Sequence, residues 1–259
     1  RAWDGGCMRF DVVTLFPELF GPFLTCGITR RAFDTKQVHV ELTNPRDFSA
    51  GNYRRIDDRP FGGGPGMVML AEPLTACLQE TRQAREDNRQ RAPLIYFSPV
   101  GSQLQQAMVR GFASSPDGAV LLCGRYEGVD QRFIDTHVDL QISLGDFVMS
   151  GGEIAAMAWL DAVARLQAGV LHDSDSHAQD SFSPDLSGLL DCPHFTRPEV
   201  WREHSAPPEL LSGHHAHIAQ WRRASSLRLT AENRPDLIAK ARQAGLLSAK
   251  DEQILADKS

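Results

Sequence analysis

The sequence predicts an α/β protein, a mostly parallel sheet flanked by helices, with a small helical unit after it. Three observations predict this. Short apolar runs alternate with segments of helical periodicity through the first part of the chain. Each run closes at a Gly or Pro signal. Beyond the Pro-rich step Ser205-Ala206-Pro207-Pro208, helical character runs from His214 to the end with no strand pattern.

Taken in order, residues 1–7 precede a Met and read as an extension upstream of the natural start. Met8 to Leu15, rich in Val and Phe, reads as a buried strand, and Pro17 suits the first turn of the helix after it. Val38 to Leu42, Leu94 to Phe97, Ala119 to Cys123 and Asp139 to Ser143 are further short strands. Helical patterns lie between them, at Glu72 to Gln90, Ser102 to Ala113 and Val129 to His137. Glu153 to Gln167, built of Ala, Met, Leu and Val, follows the last strand as a strong helix. Residues 168–198 are polar, rich in Asp, Ser and His, and lack periodicity, so they read as a functional loop or a linker.

Composition sets the class. With 42% hydrophobic and 23% charged residues in 259, the chain has material for a real core and no bias toward disorder. No apolar run approaches the ~18 residues of a membrane span, and no signal peptide is apparent, which points to the cytoplasm and away from a membrane. Cys7, Cys26, Cys77, Cys123 and Cys192 are scattered without a C-x-x-C pair, so they are expected to be reduced, mostly buried, and not metal ligands. A net charge of -6 argues against a sequence-blind nucleic-acid binder. Local basic groups remain: Arg30 and Arg31; Arg54, Arg55 and Arg59; Arg222, Arg223 and Arg228. Taken singly they read as solvated faces, the second beside Asp57 and Asp58.

Three strand ends carry small turns: Ser98 to Gly101, Cys123 to Gly128, and Ser143 to Gly152. Ligands of open parallel sheets bind outside the carboxyl ends of strands, so three such turns imply one shared pocket. There is no G-x-G-x-x-G after the first strand and no P-loop, which disfavours dinucleotide and nucleoside-triphosphate enzymes. Gly62 to Gly66 lacks a following Lys-Ser/Thr, and Pro65 removes a donor, so close approach of backbone to a flat ligand fits it better than a phosphate cradle.

The runs Leu15-Phe16-Pro17-Glu18, Asp57 to Met67, Cys123 to Gly128, Ser150-Gly151-Gly152-Glu153, Leu189 to His194 and Leu211 to Ala216 closely resemble the bacterial tRNA (guanine-N1)-methyltransferase family, in order from Met8 to about Arg228. The resemblance implies a SPOUT-type α/β domain with a deep trefoil knot over 8–167, a flexible linker over 168–198, and an all-helical tRNA-binding domain over 199–259. Connection rules alone would not select a knot. It also implies a homodimer with active sites at the interface.

By the same resemblance, S-adenosylmethionine binds at Tyr96, Phe97, Ser98 and Pro99; at Gly124, Tyr126, Glu127 and Gly128; and at Ser143, Leu144, Gly145, Asp146, Phe147, Val148, Met149, Gly151 and Gly152. The implied target is N1 of the guanosine at tRNA position 37, preceded by guanosine at position 36. That nitrogen carries a proton, so transfer needs a base. The matching positions are Asp180 as base and Arg165 as an orienting cation, with Gly64, Ser181, Asp191 and His194 as guanine or linker contacts. An ordinary Asp, with a pKa near ~3.9, is a weak base for this nitrogen. Arg165 and a Mg²⁺ ion are therefore expected to stabilise charge developing at guanine O6.

Without the resemblance, Asp180 would read as a helix cap or solvated loop acid, and Arg165 as a partner of helix-terminal carbonyls. His214, His215 and His217 fit a helix start or an RNA contact better than a metal site. The chain departs from the family pattern at Val100, Ser102, Gln103 and Phe147, and in a longer acidic stretch around Ser183 to Ser187. Two other readings stay open: a SPOUT methyltransferase of another RNA base, and a silent RNA-binding protein, which Asp180 and Arg165 disfavour.

Overall fold

The computed structural model describes residues 8–51, 53–86, 92–171 and 178–257. The expected extension at 1–7, the helix end at 87–90 and residues 172–177 of the polar stretch lie outside them. The chain divides into two compact units, residues 1–172 and 173–259, a division inside the stretch read as a linker.

The first unit runs β1 (Met8–Val13), α1 (Phe20–Thr25), α2 (Arg30–Asp34), β2 (Val38–Thr43), β3 (Asp57–Asp58), β4 (Val68–Met69), α3 (Ala71–Glu86) and β5 (Leu94–Gln103). It continues with α4 (Gln106–Ala113), β6 (Ala119–Leu122), α5 (Gln131–His137), β7 (Leu140–Ser143) and α6 (Glu153–Ala164). Five strands form a parallel sheet in the order β2-β1-β6-β5-β7. In β6 and the first four residues of β5 both faces are apolar, whereas β1 alternates and places Arg9 and Asp11 on one face. Phe10, Val12, Ile95, Phe97 and Leu121 pack with Val109 of α4 and Trp159 of α6, whereas Val13, Leu94, Tyr96, Val120 and Leu122 pack with Leu74 and Leu78 of α3 and Phe133 of α5. Alternate side chains thus enter two cores, which is why β5 and β6 read as continuous apolar runs rather than alternating ones.

A charged cluster is buried around Asp11 in this unit. Arg85 is 2% exposed; its Nε donates to Asp11 at 2.6 Å, and its other nitrogens donate to the carbonyls of Arg9, Asp117 and Ala119. Arg9 also pairs with Asp11, at 2.7 Å. Burial draws the Arg85 pKa below its usual value and Asp11 opposes that. Removing one partner strands the other groups without water. Arg85→Met is therefore expected to cost about 3 kcal/mol of unfolding free energy, read by urea denaturation; a midpoint within error of the parent would contradict the assignment.

Several expected boundaries shift. The strand expected at Leu94 to Phe97 continues to Gln103, and the helix expected from Ser102 begins at Gln106. The chain bulges between Phe97 and Ser102 and then rejoins β7, pairing Ser102 with Ile142 and Gln103 with Ser143. Gly101 makes that return possible: a Cβ there would lie 2.3 Å from the backbone nitrogen of Ile142. The helix expected from Val129 starts at Gln131 because Asp130 caps it, accepting from the Arg132 N–H. The helix expected to Gln167 ends at Ala164, with Arg165 as its carboxyl cap. The antiparallel pair β3 and β4 was missed because two-residue strands carry no period.

The second unit contains β8 (Val200–Trp201), β9 (His204–Ser205), α7 (Pro208–Leu211), α8 (His215–Asn233), α9 (Pro235–Gln243) and α10 (Ala249–Ala256). The β8–β9 hairpin corrects the all-helical expectation for this region. Leu227 of α8 packs with Ile238 and Ala241 of α9 and with Leu189. Leu189 belongs to the long polar stretch, whose residues 178–192 fold onto α8. The Leu190 N–H donates to Thr230, its carbonyl accepts from Ser226, and Arg223 donates to the Leu186 carbonyl. Arg223 also pairs with Asp251 at 2.9 Å, which with the Ser248 capping box holds the Asp251 carboxyl down at about 2.

Candidate active site

A cleft of about 240 Å³ opens at the bulge of β5 and the carboxyl ends of β6 and β7. The first turn lends Tyr96, Phe97, Ser98 and Pro99; the second lends Gly124, Tyr126, Glu127 and Gly128; the third lends Ser143, Leu144, Gly145, Phe147, Val148, Met149, Gly151 and Gly152. Of the cofactor-binding residues that the resemblance implied, only Asp146 does not border it. Arg125, Ile142, Ser150 and Ala155 border it as well and were not anticipated.

The turns are shaped by close approaches that only glycine permits. A Cβ at Gly124 would meet the Tyr96 ring at 2.7 Å, and one at Gly152 would meet the Cys123 Cα at 2.8 Å. The Gly152 N–H donates to the Gly124 carbonyl at 3.0 Å, so the second and third turns are joined directly. Tyr96 is 7% exposed, and burial raises its hydroxyl pKa. Ser143 bonds the Gly145 N–H at 3.1 Å, which folds the third turn at its start. Phe147 and Val148 project outward, 56% and 90% exposed, while Met149 packs on the core. Cys123 is buried beneath, its thiol pushed well up by burial and by Glu153, so it is not a nucleophile here.

The remaining expected residues fall on both units. Gly64 lies in the β3–β4 turn of the first unit at φ +107 with open space around its Cβ position. Arg165 caps α6 in the same unit. Asp180, Ser181, Asp191 and His194 belong to the second. There Ser181 accepts from the Asp191 N–H at 2.9 Å, and Asp191 Oδ2 lies 2.9 Å from His194 Nε2. Asp191 Oδ1 also accepts from the Cys192 N–H. Asp180 is half-buried, and its carbonyl accepts from the Ser183 N–H. Sequence distance hid the link between Ser181 and Asp191, ten positions apart in a stretch without periodicity. His214 and His217 stack at 4.1 Å, and among the described residues no group of three or more His, Cys, Asp or Glu could hold a metal ion. Nor is any described helix long and apolar enough to cross a membrane.

The cleft fits a bent adenosine-type cofactor in kind: glycine walls that admit close backbone approach, apolar Ile142, Phe147 and Val148 for a flat base, and few charges. A family described as tRNA (Guanine-1)-methyltransferase TrmD matches residues 8–240. A Polaromonas sp. protein named tRNA (guanine-N(1)-)-methyltransferase is 64% identical over 251 residues, 96% of each chain. Proteins of the same name from Albidiferax ferrireducens and Bordetella parapertussis are 64% and 54% identical, covering 96% of this chain and 99% and 97% of theirs.

Proposed function

Because this chain belongs to the tRNA (guanine-1)-methyltransferase family, we propose that it methylates N1 of the guanosine at tRNA position 37, following a guanosine at position 36, with Asp180 as general base. The observation that carries this is the family match running through both units, over the cleft and the Asp180 segment alike. A methyltransferase of this family uses S-adenosylmethionine, whose sulfonium supplies an electrophilic methyl group when bound. The three turns would hold it, with Gly124, Gly151 and Gly152 giving close approach and Phe147 and Met149 an apolar face. Asp180 takes the N1 proton, which frees the electron pair to attack the methyl carbon while the methyl–sulfur bond breaks and S-adenosylhomocysteine leaves. Arg165 steadies the negative charge that spreads to guanine O6 as the proton leaves. Ser181, Asp191 and His194, already linked, hold the guanine edge, and Gly64 admits close approach of the base. Mg²⁺ would add countercharge at O6, but the described residues offer no ligand cluster for it, and no step is assigned to it.

A trefoil knot is part of the proposal. From the edge strand β7 the chain crosses back past β5 to the end of β6, where Gly151 bridges Arg125. Trp159 of α6 then packs edge-on against Phe97 of β5 and Phe112 of α4, as a chain threaded inside the β5–β6 connection would. A homodimer is proposed too, supported by large apolar side chains exposed in the first unit, Phe61, Val148 and Ile154 among them. The alternative, a different RNA base, is decided by substrate. Methyl transfer to transcribed tRNA is expected with guanosine at position 37 and to fall to background with adenosine there. Equal labelling of both transcripts would transfer the enzyme to another base.

A further inference from the structure

We infer that Thr14, Glu153 and Arg125 form a buried positioning network that sets the spacing between the second and third turns; the inference rests on assigning the cleft to the cofactor. Glu153 opens α6, with its side chain only 1% exposed. A carboxylate so placed is costly unless paired. Its Oε1 accepts from Thr14 Oγ1 at 2.9 Å, and its Oε2 lies 3.0 Å from Arg125 Nε. Thr14, fully buried after β1, accepts in turn from the Phe16 N–H at 3.0 Å, so its hydroxyl is fixed in direction.

Arg125 completes the link to the cleft. Its guanidinium lies 4.4 Å above the Phe16 ring, and Nη1 donates to the Ser150 carbonyl at 3.3 Å. Gly151 sits in the crook of the pair, where a Cβ would lie 2.3 Å from Arg125 Nε and 2.6 Å from Glu153 Oε2. The ion pair therefore clamps the third turn against the second at the point where Gly151 bridges Arg125. Oε2 and Nε are close, yet neither finds an aligned hydrogen bond. Folding alone does not call for such a pair, since well-packed apolar residues replace buried ion pairs with little or no loss.

The full-length protein tests this. The parent, Glu153→Gln, Thr14→Val and Thr14→Ser are compared by calorimetry with S-adenosylhomocysteine, by melting temperature, by hydrogen exchange without ligand, and by KM for tRNA. Glu153→Gln is expected to weaken cofactor-product binding by about tenfold or more and to speed exchange over residues 144–152 while the sheet is unchanged. KM for tRNA stays at the parental value. Thr14→Val moves the same way, and Thr14→Ser restores the parent. A folded Glu153→Gln protein that binds as tightly as the parent overturns the inference, as does exchange that quickens evenly through sheet and turn. Should Glu153→Gln fail to fold, Thr14→Val decides by the same readings. A parent protein that binds no S-adenosylhomocysteine overturns the cofactor assignment and this inference with it; a parent that binds beside unaltered variants overturns this inference alone.

Discussion

Asp180→Ala is expected to slow methyl transfer by a factor on the order of 10²–10⁴ while cofactor affinity stays at the parental value. Guanine N1 is protonated when neutral, so its electron pair reaches a methyl carbon only as the proton leaves. The nearby acid Asp191 is held in other contacts. Asp191 already accepts from the Cys192 N–H through Oδ1 and meets His194 through Oδ2, and its own N–H is held by Ser181. Asp180→Asn keeps the shape and removes the basicity, and should be as slow as the Ala variant. Single-turnover transfer to transcribed tRNA, beside calorimetry with S-adenosylhomocysteine, reads both quantities. An Ala variant at full rate would place the base elsewhere. Reduced binding with a preserved rate would make Asp180 a binding residue.

The parallel sheet was legible because β6 is apolar on both faces and β1, β2 and β7 carry Val, Leu, Ile, Met or Phe at alternate positions, each run ended by turn residues. β5 was cut short at Phe97 because Ser98, Pro99 and Gly101 are turn residues, and nothing local shows that the chain rejoins β7 after its bulge. The hairpins β3–β4 and β8–β9 are too short to carry a period. The three turns could be read as one pocket from their places at strand ends, and the glycines in them mark real close approaches. The Glu153 pairing could not. Thr14 and Glu153 are 139 positions apart, and Glu153 reads locally as an ordinary acid in the first turn of a helix. Ser181 and Asp191 show the same limit over a shorter span, since a loop without periodicity gives no sign of folding back on itself.

Gly152→Val is expected to raise the dissociation constant for S-adenosylhomocysteine by on the order of 10³, a loss of roughly 4 kcal/mol. The reason is space, not backbone freedom, because Gly152 has φ -80, which any residue adopts. A Cβ there would lie 2.8 Å from the Cys123 Cα and 3.2 Å from the Gly124 nitrogen, both backbone atoms that cannot rotate away. The third turn must lift off the second, breaking the Gly152 N–H bond to the Gly124 carbonyl and parting the two walls of the cleft. Overpacking adds a stability cost of about 1–3 kcal/mol, so the melting temperature falls too. Gly111→Val is the matched control: Gly111 lies within α4 with nothing within 4 Å of its Cβ position, and the exchange of one weak helix former for another should be neutral within about 0.5 kcal/mol. Calorimetry and thermal melts on the two variants separate the claims. Loss of affinity in both would point to a general weakening of the fold, whereas parental affinity in Gly152→Val would mean that the second and third turns do not form the cofactor's walls.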